Sequence, residues 1–179
     1  MKINEKKYYD KKKNWNFNNF DIISEKLTDW DMYDILNNLS NENSKILDIG
    51  TGGGEQLLEH FPCVKEIVGT DYSSEMIKTA NHNLLKSKRK NIKFRVMNNL
   101  KMDVPMNYYD IIVARNTVID AKQIYDALRD GGYLIVRGVD KYDCHELKLI
   151  FEKGQGVKDS KPISIVDYEN ILSAGFKDV

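Results

Sequence analysis

The most informative part of this chain is a ten-residue stretch, Ile46-Leu47-Asp48-Ile49-Gly50-Thr51-Gly52-Gly53-Gly54-Glu55. It reads as a buried strand that runs into a glycine-rich turn, and an amphipathic helix over Gln56–Phe61 follows. Glycines at such a turn let the backbone pass close beneath a ligand and direct amide N–H groups at it. The dinucleotide fingerprint G-x-G-x-x-G would need glycine at position 55, where this chain has Glu55. A carboxylate there is a poor neighbour for a pyrophosphate and suits a cofactor that brings positive charge.

An acidic residue, Asp71, ends the next predicted strand, 21 positions after Gly50. A carboxylate at that place can accept hydrogen bonds from both ribose hydroxyls of an adenosine. The glycine loop and the acid together indicate a nucleoside cofactor without deciding which one.

Short segments rich in Ile, Val and Phe alternate with helical ones, which predicts βαβ units and a mostly parallel, doubly wound α/β sheet with helices on both faces. The predicted strands are Lys45–Ile49, Lys65–Thr70, Ile92–Met97, Tyr109–Ala114 and Gly132–Val139. Besides the helix after the glycine loop, helices are predicted near 29–39, capped by Thr28 or Asp29, over Ser74–Lys88, and over Asp120–Leu128, the last ended by a turn at Asp130-Gly131-Gly132.

Composition limits the choice of protein class. The chain has 179 residues, no formal net charge and 41 % hydrophobic residues, which fits one domain with a real core. No apolar run approaches the roughly 20 residues that span a bilayer, so we expect a soluble, cytoplasmic protein that binds no membrane. The two cysteines, Cys63 and Cys144, are expected to be reduced core thiols, and no cluster with metal-ligand spacing is present.

The charge is unevenly distributed. Residues 1–43 form a basic segment with interleaved aromatic residues that is a candidate lid, and 44–179 form the expected ligand-binding domain. A second basic run, Lys86–Arg95, could follow an RNA backbone. Cations also collect at helix C-termini through the macrodipole, and this simpler reading is favoured because the run precedes the third strand, away from the glycine loop.

Five motifs in the same order and spacing resemble those of the class I, Rossmann-like S-adenosylmethionine-dependent methyltransferases. They are Asp48–Gly54, Gly69–Met76, Val96–Leu100, Tyr109–Asn116 and Leu128–Ile135. The likeness is closest to small, mostly uncharacterised bacterial members of the type 11 methyltransferase-domain group, which share the Thr-Gly-Gly-Gly-Glu loop, Trp30-Asp31 and Asp120-Ala121.

The resemblance implies S-adenosylmethionine as cofactor, S-adenosylhomocysteine as product, and no metal. The positions that match the family's cofactor site are Asp48, Gly50, Thr51, Gly52, Gly54, Asp71, Tyr72, Met76, Asn98, Asn99, Leu100, Arg115 and Asn116. Asn98 replaces the usual aspartate beside the adenine but keeps a carbonyl acceptor. Arg115 and Asn116, at the end of the fourth strand, either face the cofactor or the acceptor or are a solvated polar pair.

The resemblance also implies a sixth strand and an antiparallel seventh after Ala174-Gly175-Phe176, whereas this sequence stops at Val179. We therefore expect these C-terminal strands to be missing or truncated, so that the edge of the fifth strand needs cover from another segment or subunit.

The expected activity is methyl transfer to a small-molecule acceptor by in-line displacement. The rivals are an RNA or protein methyltransferase that uses the basic runs, and a non-catalytic protein that binds the cofactor or serves as a scaffold. The sequence nominates no catalytic base, and it leaves open a monomer or a homodimer.

Overall fold

In the computed structural model, residues 11, 28–152 and 160–179 are described, and they confirm the predicted α/β class. The strands are β1 (Lys45–Ile49), β2 (Glu66–Asp71), β3 (Ile92–Val96), β4 (Tyr109–Arg115) and β5 (Leu128–Arg137). The helices are α1 (Met32–Leu39), α2 (Glu55–His60), α3 (Ser74–Lys86), α4 (Ala121–Ala127), α5 (His145–Phe151) and α6 (Ile163–Ala174).

The five strands form one parallel sheet in the order β3-β2-β1-β4-β5. One face buries α1, α2 and α3, through side chains such as Leu36, Leu57 and Ala80. The other face buries α4, through Ile124 and Ala127. From β1 the chain proceeds outward to β2 and β3, and β4 and β5 are then added on the other side of β1. This reversal opens a crevice at the carboxyl ends of β1 and β4, where ligands of doubly wound sheets bind.

The start of α1 differs from the prediction. The helix begins at Met32, and its cap is Asp31 rather than Thr28 or Asp29, because the Asp31 carboxylate accepts a hydrogen bond from the Tyr33 N–H at 2.8 Å. Met32 and Leu36 are buried, and α1 packs against β5. The remainder of the predicted lid segment, residues 1–27 apart from Lys11, lies outside the described residues.

The start of β5 was also predicted wrongly. The strand begins at Leu128, directly after α4, and the predicted turn at 130–132 lies inside it as a bulge. The register jumps from Tyr109 opposite Leu128 to Ile111 opposite Tyr133, and Gly131 takes a φ of 72° within the extra residues. After β5, the described residues contain no further strand.

The cysteine prediction was partly wrong. Both cysteines are free, but both are exposed instead of packed in the core. Cys63 follows Pro62 in the loop between α2 and β2, and Cys144 precedes α5 on a turn with a φ of 46°. Neither position belongs to a face of the sheet.

The ring of Phe94 on β3 fastens the glycine turn to the sheet. A Cβ on Gly54 would lie 2.7 Å from the Phe94 Cζ, and a Cβ on Gly69 would lie 2.5 Å from its Cε1. Gly54 also caps α2 with a φ of 77°, a conformation that other residues adopt at a cost. The requirement for glycine at position 54 is therefore explained by packing and backbone conformation, without reference to a ligand.

This packing predicts that Gly54→Ala lowers the free energy of unfolding by about 2–4 kcal/mol, from left-handed strain of about 1–2 kcal/mol and overpacking of at least about 1 kcal/mol. The matched control is Gly131→Ala. Gly131 has a similar φ of 72° but no atom within 4 Å of the added Cβ, so only the strain remains. Urea unfolding measures both, and equal losses would contradict the role of Phe94.

Candidate active site

The parallel register places the ends of four strands side by side. Ile49 lies opposite Thr70 on β2 and opposite Ala114 on β4, so the next residues, Gly50, Asp71 and Arg115, follow at one level. Arg115 is itself paired with Arg137 on β5. The carboxyl edge of the sheet thus runs from an acid, across the glycine loop, to two arginines.

Hydrogen bonds to β2 fix the glycine loop. The N–H groups of Gly50 and Thr51 both donate to the Thr70 carbonyl at 2.8 Å, and the Gly52 N–H donates to the Asp71 carboxylate at 3.0 Å. The other Asp71 oxygen accepts from the Ser73 N–H at 2.8 Å, just before α3. Asp71 therefore shapes both the loop and the entry to α3, in addition to any contact with a ligand.

Gly50 sits against the loop that follows β4. Its φ is 78°, and a Cβ there would lie 2.6 Å from the Thr117 Cβ. The Thr117 hydroxyl accepts a hydrogen bond from the Asn99 side chain at 2.8 Å. The loops after β1, β3 and β4 are thereby joined around one crevice.

The three predicted cofactor-site residues after β3, at positions 98–100, differ in their burial. Asn98 is exposed, and its Oδ1 accepts the Leu100 N–H at 2.9 Å in a local turn. Leu100 is also exposed, whereas Asn99 is buried. The Oδ1 of Asn99 and the Oγ1 of Thr51 are buried atoms that no described residue supplies with a hydrogen bond.

The other predicted residues divide between core and surface. Met76 is buried in α3, Tyr72 is exposed beside Asp71, and Arg115 is half-buried. Asn116 is exposed, has a φ of 52°, and donates its N–H to the Arg137 carbonyl at 2.8 Å. The crevice is thus lined by a subset of the residues that the sequence indicates.

Asp48 is a buried acid directly beneath the crevice. Burial raises its pKa to about 6, and the Thr51 hydroxyl and the Arg115 charge offset this only in part. Thr51 lies near the carboxyl but outside hydrogen-bond geometry. Asp48 is on the face of the sheet that α1 covers, since its neighbours Leu47 and Ile49 are in the opposite core.

The sequence indicates neither Thr117 nor Arg137 in this region, whereas Tyr33 is one of the aromatic residues of the predicted lid segment. The Tyr33 hydroxyl donates to the Gln56 Oε1 at 2.9 Å, and its ring stacks on His60 with centroids 4.5 Å apart. These contacts tie α1 to the helix that follows the glycine loop. Arg137 is revealed only by the strand register, which pairs it with Arg115.

A separate groove of about 490 Å³ lies between β5, α6 and residues 176–179. Its lining includes Leu134 and Val136, which face the α4 side of the sheet, and none of the predicted site residues. It is therefore not the crevice at the glycine loop.

Three of the six cations in the basic run from Lys86 to Arg95 make contacts within the fold. Arg89 donates to the carbonyls of Phe61 and Pro62 at 2.9 and 2.8 Å. Lys93 lies 3.7 Å from Glu66, and Arg95 contacts Asp103. These contacts leave a smaller cationic surface than the sequence suggests.

Comparison with known protein families identifies the family to which this chain belongs. Residues 40–165 match the model of a methyltransferase domain. Because this match covers most of the chain, the protein belongs to this methyltransferase-domain family.

Individual relatives are more distant. The uncharacterised methyltransferase YcgJ of Bacillus subtilis is 28 % identical over 100 residues, which cover 51 % of this chain and 40 % of YcgJ. The chain thus spans less than half the length of this relative. A putative methyltransferase from Bacillus halodurans has a TM-score of 0.65 at 17 % identity, over 82 % of this chain and 69 % of its own.

Phosphoethanolamine N-methyltransferase 2 of Haemonchus contortus, solved with S-adenosylmethionine, has a TM-score of 0.60 at 21 % identity, over 82 % of this chain and 36 % of its own. These likenesses show the fold. Within the described ranges, no group of side chains is arranged to hold a metal ion, and no helix is long and apolar enough to cross a membrane.

The raised pKa of Asp48 predicts a pH dependence of stability. A proton binds more tightly to the folded than to the unfolded protein, so stability increases as the pH falls through about 6 and is lost again as the pH rises. Between pH 7.5 and pH 5 this one group should add about 1.4 kcal/mol to the free energy of unfolding. Asp48→Asn should remove that increment.

Urea unfolding of wild type and Asp48→Asn at the two pH values measures the effect. Asp103→Asn, which removes a fully exposed carboxylate, is the control for ordinary surface titration. The same pH response in Asp48→Asn as in wild type would show that Asp48 is not the titrating group.

Proposed function

We propose that this protein is an S-adenosylmethionine-dependent methyltransferase that transfers the methyl group to a small-molecule acceptor in the crevice between β1 and β4. The observation that carries the proposal is the glycine loop held by the Asp71 carboxylate at the topological switch point of the sheet. Membership of the methyltransferase family supports it independently.

The residues present fit such a cofactor. Asn99 Oδ1 is a buried acceptor at the crevice without a described partner, which a hydrogen-bonding ligand would satisfy. The Asp71 carboxylate accepts hydrogen bonds from the Gly52 and Ser73 N–H groups and lies at the end of β2, the position from which an acid contacts the ribose hydroxyls of an adenosine. Asn98 and Leu100 would flank the adenine, and Tyr72 is exposed beside it.

Gly50 and Gly52 let the loop approach the ligand closely. Gly54 and Met76 are buried and support the site through packing. Asp48 contributes a negative charge below the crevice. Arg115 and Asn116, at the end of β4, would face the cofactor or the acceptor.

When bound, S-adenosylmethionine would supply a methyl carbon already activated on a sulfonium, with S-adenosylhomocysteine as the leaving group of an in-line displacement. The protein's contribution is then chiefly orientation, which accounts for large rate enhancements on its own. This agrees with a site for which we assign no catalytic base.

A small-molecule acceptor is supported over RNA. The phosphoethanolamine enzyme that shares the fold is named for a small substrate. Three of the six cations in the basic run, Arg89, Lys93 and Arg95, contact neighbouring carbonyl or carboxylate groups of the fold. A related fold was solved with the Trm112 methyltransferase activator, so a protein partner is the second arrangement to test.

Replacing the ribose acceptor should weaken cofactor binding. Asp71→Asn keeps the shape of the side chain but removes the charge that strengthens its hydrogen bonds, so the affinity for S-adenosylhomocysteine should fall about tenfold or more. Calorimetric titration measures this, with Asp103→Asn as the control that removes an exposed carboxylate outside the glycine loop.

Thermal unfolding of the same variants separates the roles of Asp71, since the loss of its bonds to Gly52 and Ser73 lowers stability by itself. Lower stability with unchanged affinity would show that Asp71 supports the loop only. Absence of binding by wild type at millimolar S-adenosylmethionine would overturn the proposed function.

A further inference from the structure

The two arginines at the end of the sheet are paired directly. Arg115 and Arg137 occupy opposite positions in the parallel ladder of β4 and β5, so their Cα atoms are about 4.8 Å apart and their side chains leave the same face. The bond from the Asn116 N–H to the Arg137 carbonyl, 2.8 Å, holds both strands in this register to the last residue. The pairing is a fixed property of the sheet.

The face of this pair follows from the strand alternation. Val113 and Ile135, two residues earlier on each strand, belong to the core that α1 covers, so both arginines lie on the α1 side. Both also oppose the rise in the pKa of Tyr33, which agrees with a position beside the first turn of α1. Tyr33 therefore forms a wall of the space above the pair.

The positive charges of the pair are not neutralised by ion pairs. Among residues 28–152 and 160–179, neither guanidinium forms a salt bridge or a hydrogen bond through its side chain. Two acids lie on this side: Asp48 is buried below Arg115, and Asp31 is engaged by the Tyr33 N–H. By contrast, Arg129 at the other end of β5 pairs with Asp110 at 2.5 Å.

Two like charges held in register repel each other, and an oxyanion between them would relieve that repulsion. Guanidinium groups match carboxylate and phosphate oxygens in geometry as well as charge. Arg115 is one strand and Arg137 two strands away from Gly50, on the side opposite Asp71. If Asp71 and the loop hold the nucleoside, this end of the crevice remains for another group.

We propose that Arg115 and Arg137 form an oxyanion subsite that selects methyl acceptors bearing a carboxylate or phosphate group. This inference rests on the proposed function, since it assigns the neighbouring end of the same crevice to the acceptor. It names Arg137 as a residue that determines specificity by binding the acceptor away from the reacting atom.

The experiment uses methyl phosphate and acetate as probes, titrated at constant ionic strength into the protein with and without S-adenosylhomocysteine. Arg137→Gln and Arg115→Gln should each bind methyl phosphate about tenfold more weakly than wild type. Arg137→Lys keeps the charge but loses the planar fork of donors, so its affinity should fall between those of wild type and Arg137→Gln, which separates charge from folding effects. Arg129→Gln, on the same strand at the opposite edge, should stay within about twofold.

The affinity for S-adenosylhomocysteine should change less than twofold in Arg137→Gln. A tenfold loss there, with unchanged binding of 5′-methylthioadenosine, would assign the arginines to the carboxylate of the cofactor and overturn the acceptor subsite. Equal methyl phosphate affinity in Arg137→Gln and Arg129→Gln would overturn it as well.

Failure of the proposed function is distinguishable. If the wild-type protein binds methyl phosphate but no S-adenosylhomocysteine, and Arg137→Gln weakens the binding of methyl phosphate, the anion site is retained and its role in methyl transfer is overturned.

Discussion

In the parallel ladder around β1, the residues after each strand come to one level, and the candidate site depends on that register. Asp71, Gly50, Arg115 and Arg137 are far apart in the chain but sit on four neighbouring strands. A slip of one residue would turn every side chain of a strand to the other face, so that both cores would be lost. Burial on both faces therefore fixes the site as firmly as it fixes the fold.

The glycine loop serves two purposes that the structure separates. Gly54 is needed because Phe94 occupies the space of its Cβ, while Gly50 is needed where the loops after β1 and β4 meet. The buried, unsatisfied Asn99 Oδ1 and the raised pKa of Asp48 are costs that packing alone does not explain. Such costs concentrate at functional sites, which agrees with the crevice as the place of binding.

Much of the fold was predictable because buried parallel strands and glycine turns have strong local signals. The bounds of β1 were predicted to the residue, and β2 to within one. The start of β5 was not, because a turn signal such as Asp130-Gly131-Gly132 cannot be distinguished locally from a bulge within a strand. The cap of α1 failed for a similar reason, since Thr28, Asp29 and Asp31 are all good caps and packing of Met32 decides among them.

The sequence by itself determined the fold class and the positions of the glycine loop and Asp71 at the ends of two strands. These follow from local patterns and from spacing along one βαβ unit. Only the tertiary structure decided that Phe94 lies against Gly54, that Tyr33 borders the crevice, and that Arg137 stands beside Arg115. Those relations join segments separated by tens of residues. They depend on which strands become neighbours, and this is set by the packing of the whole sheet rather than by any segment of it.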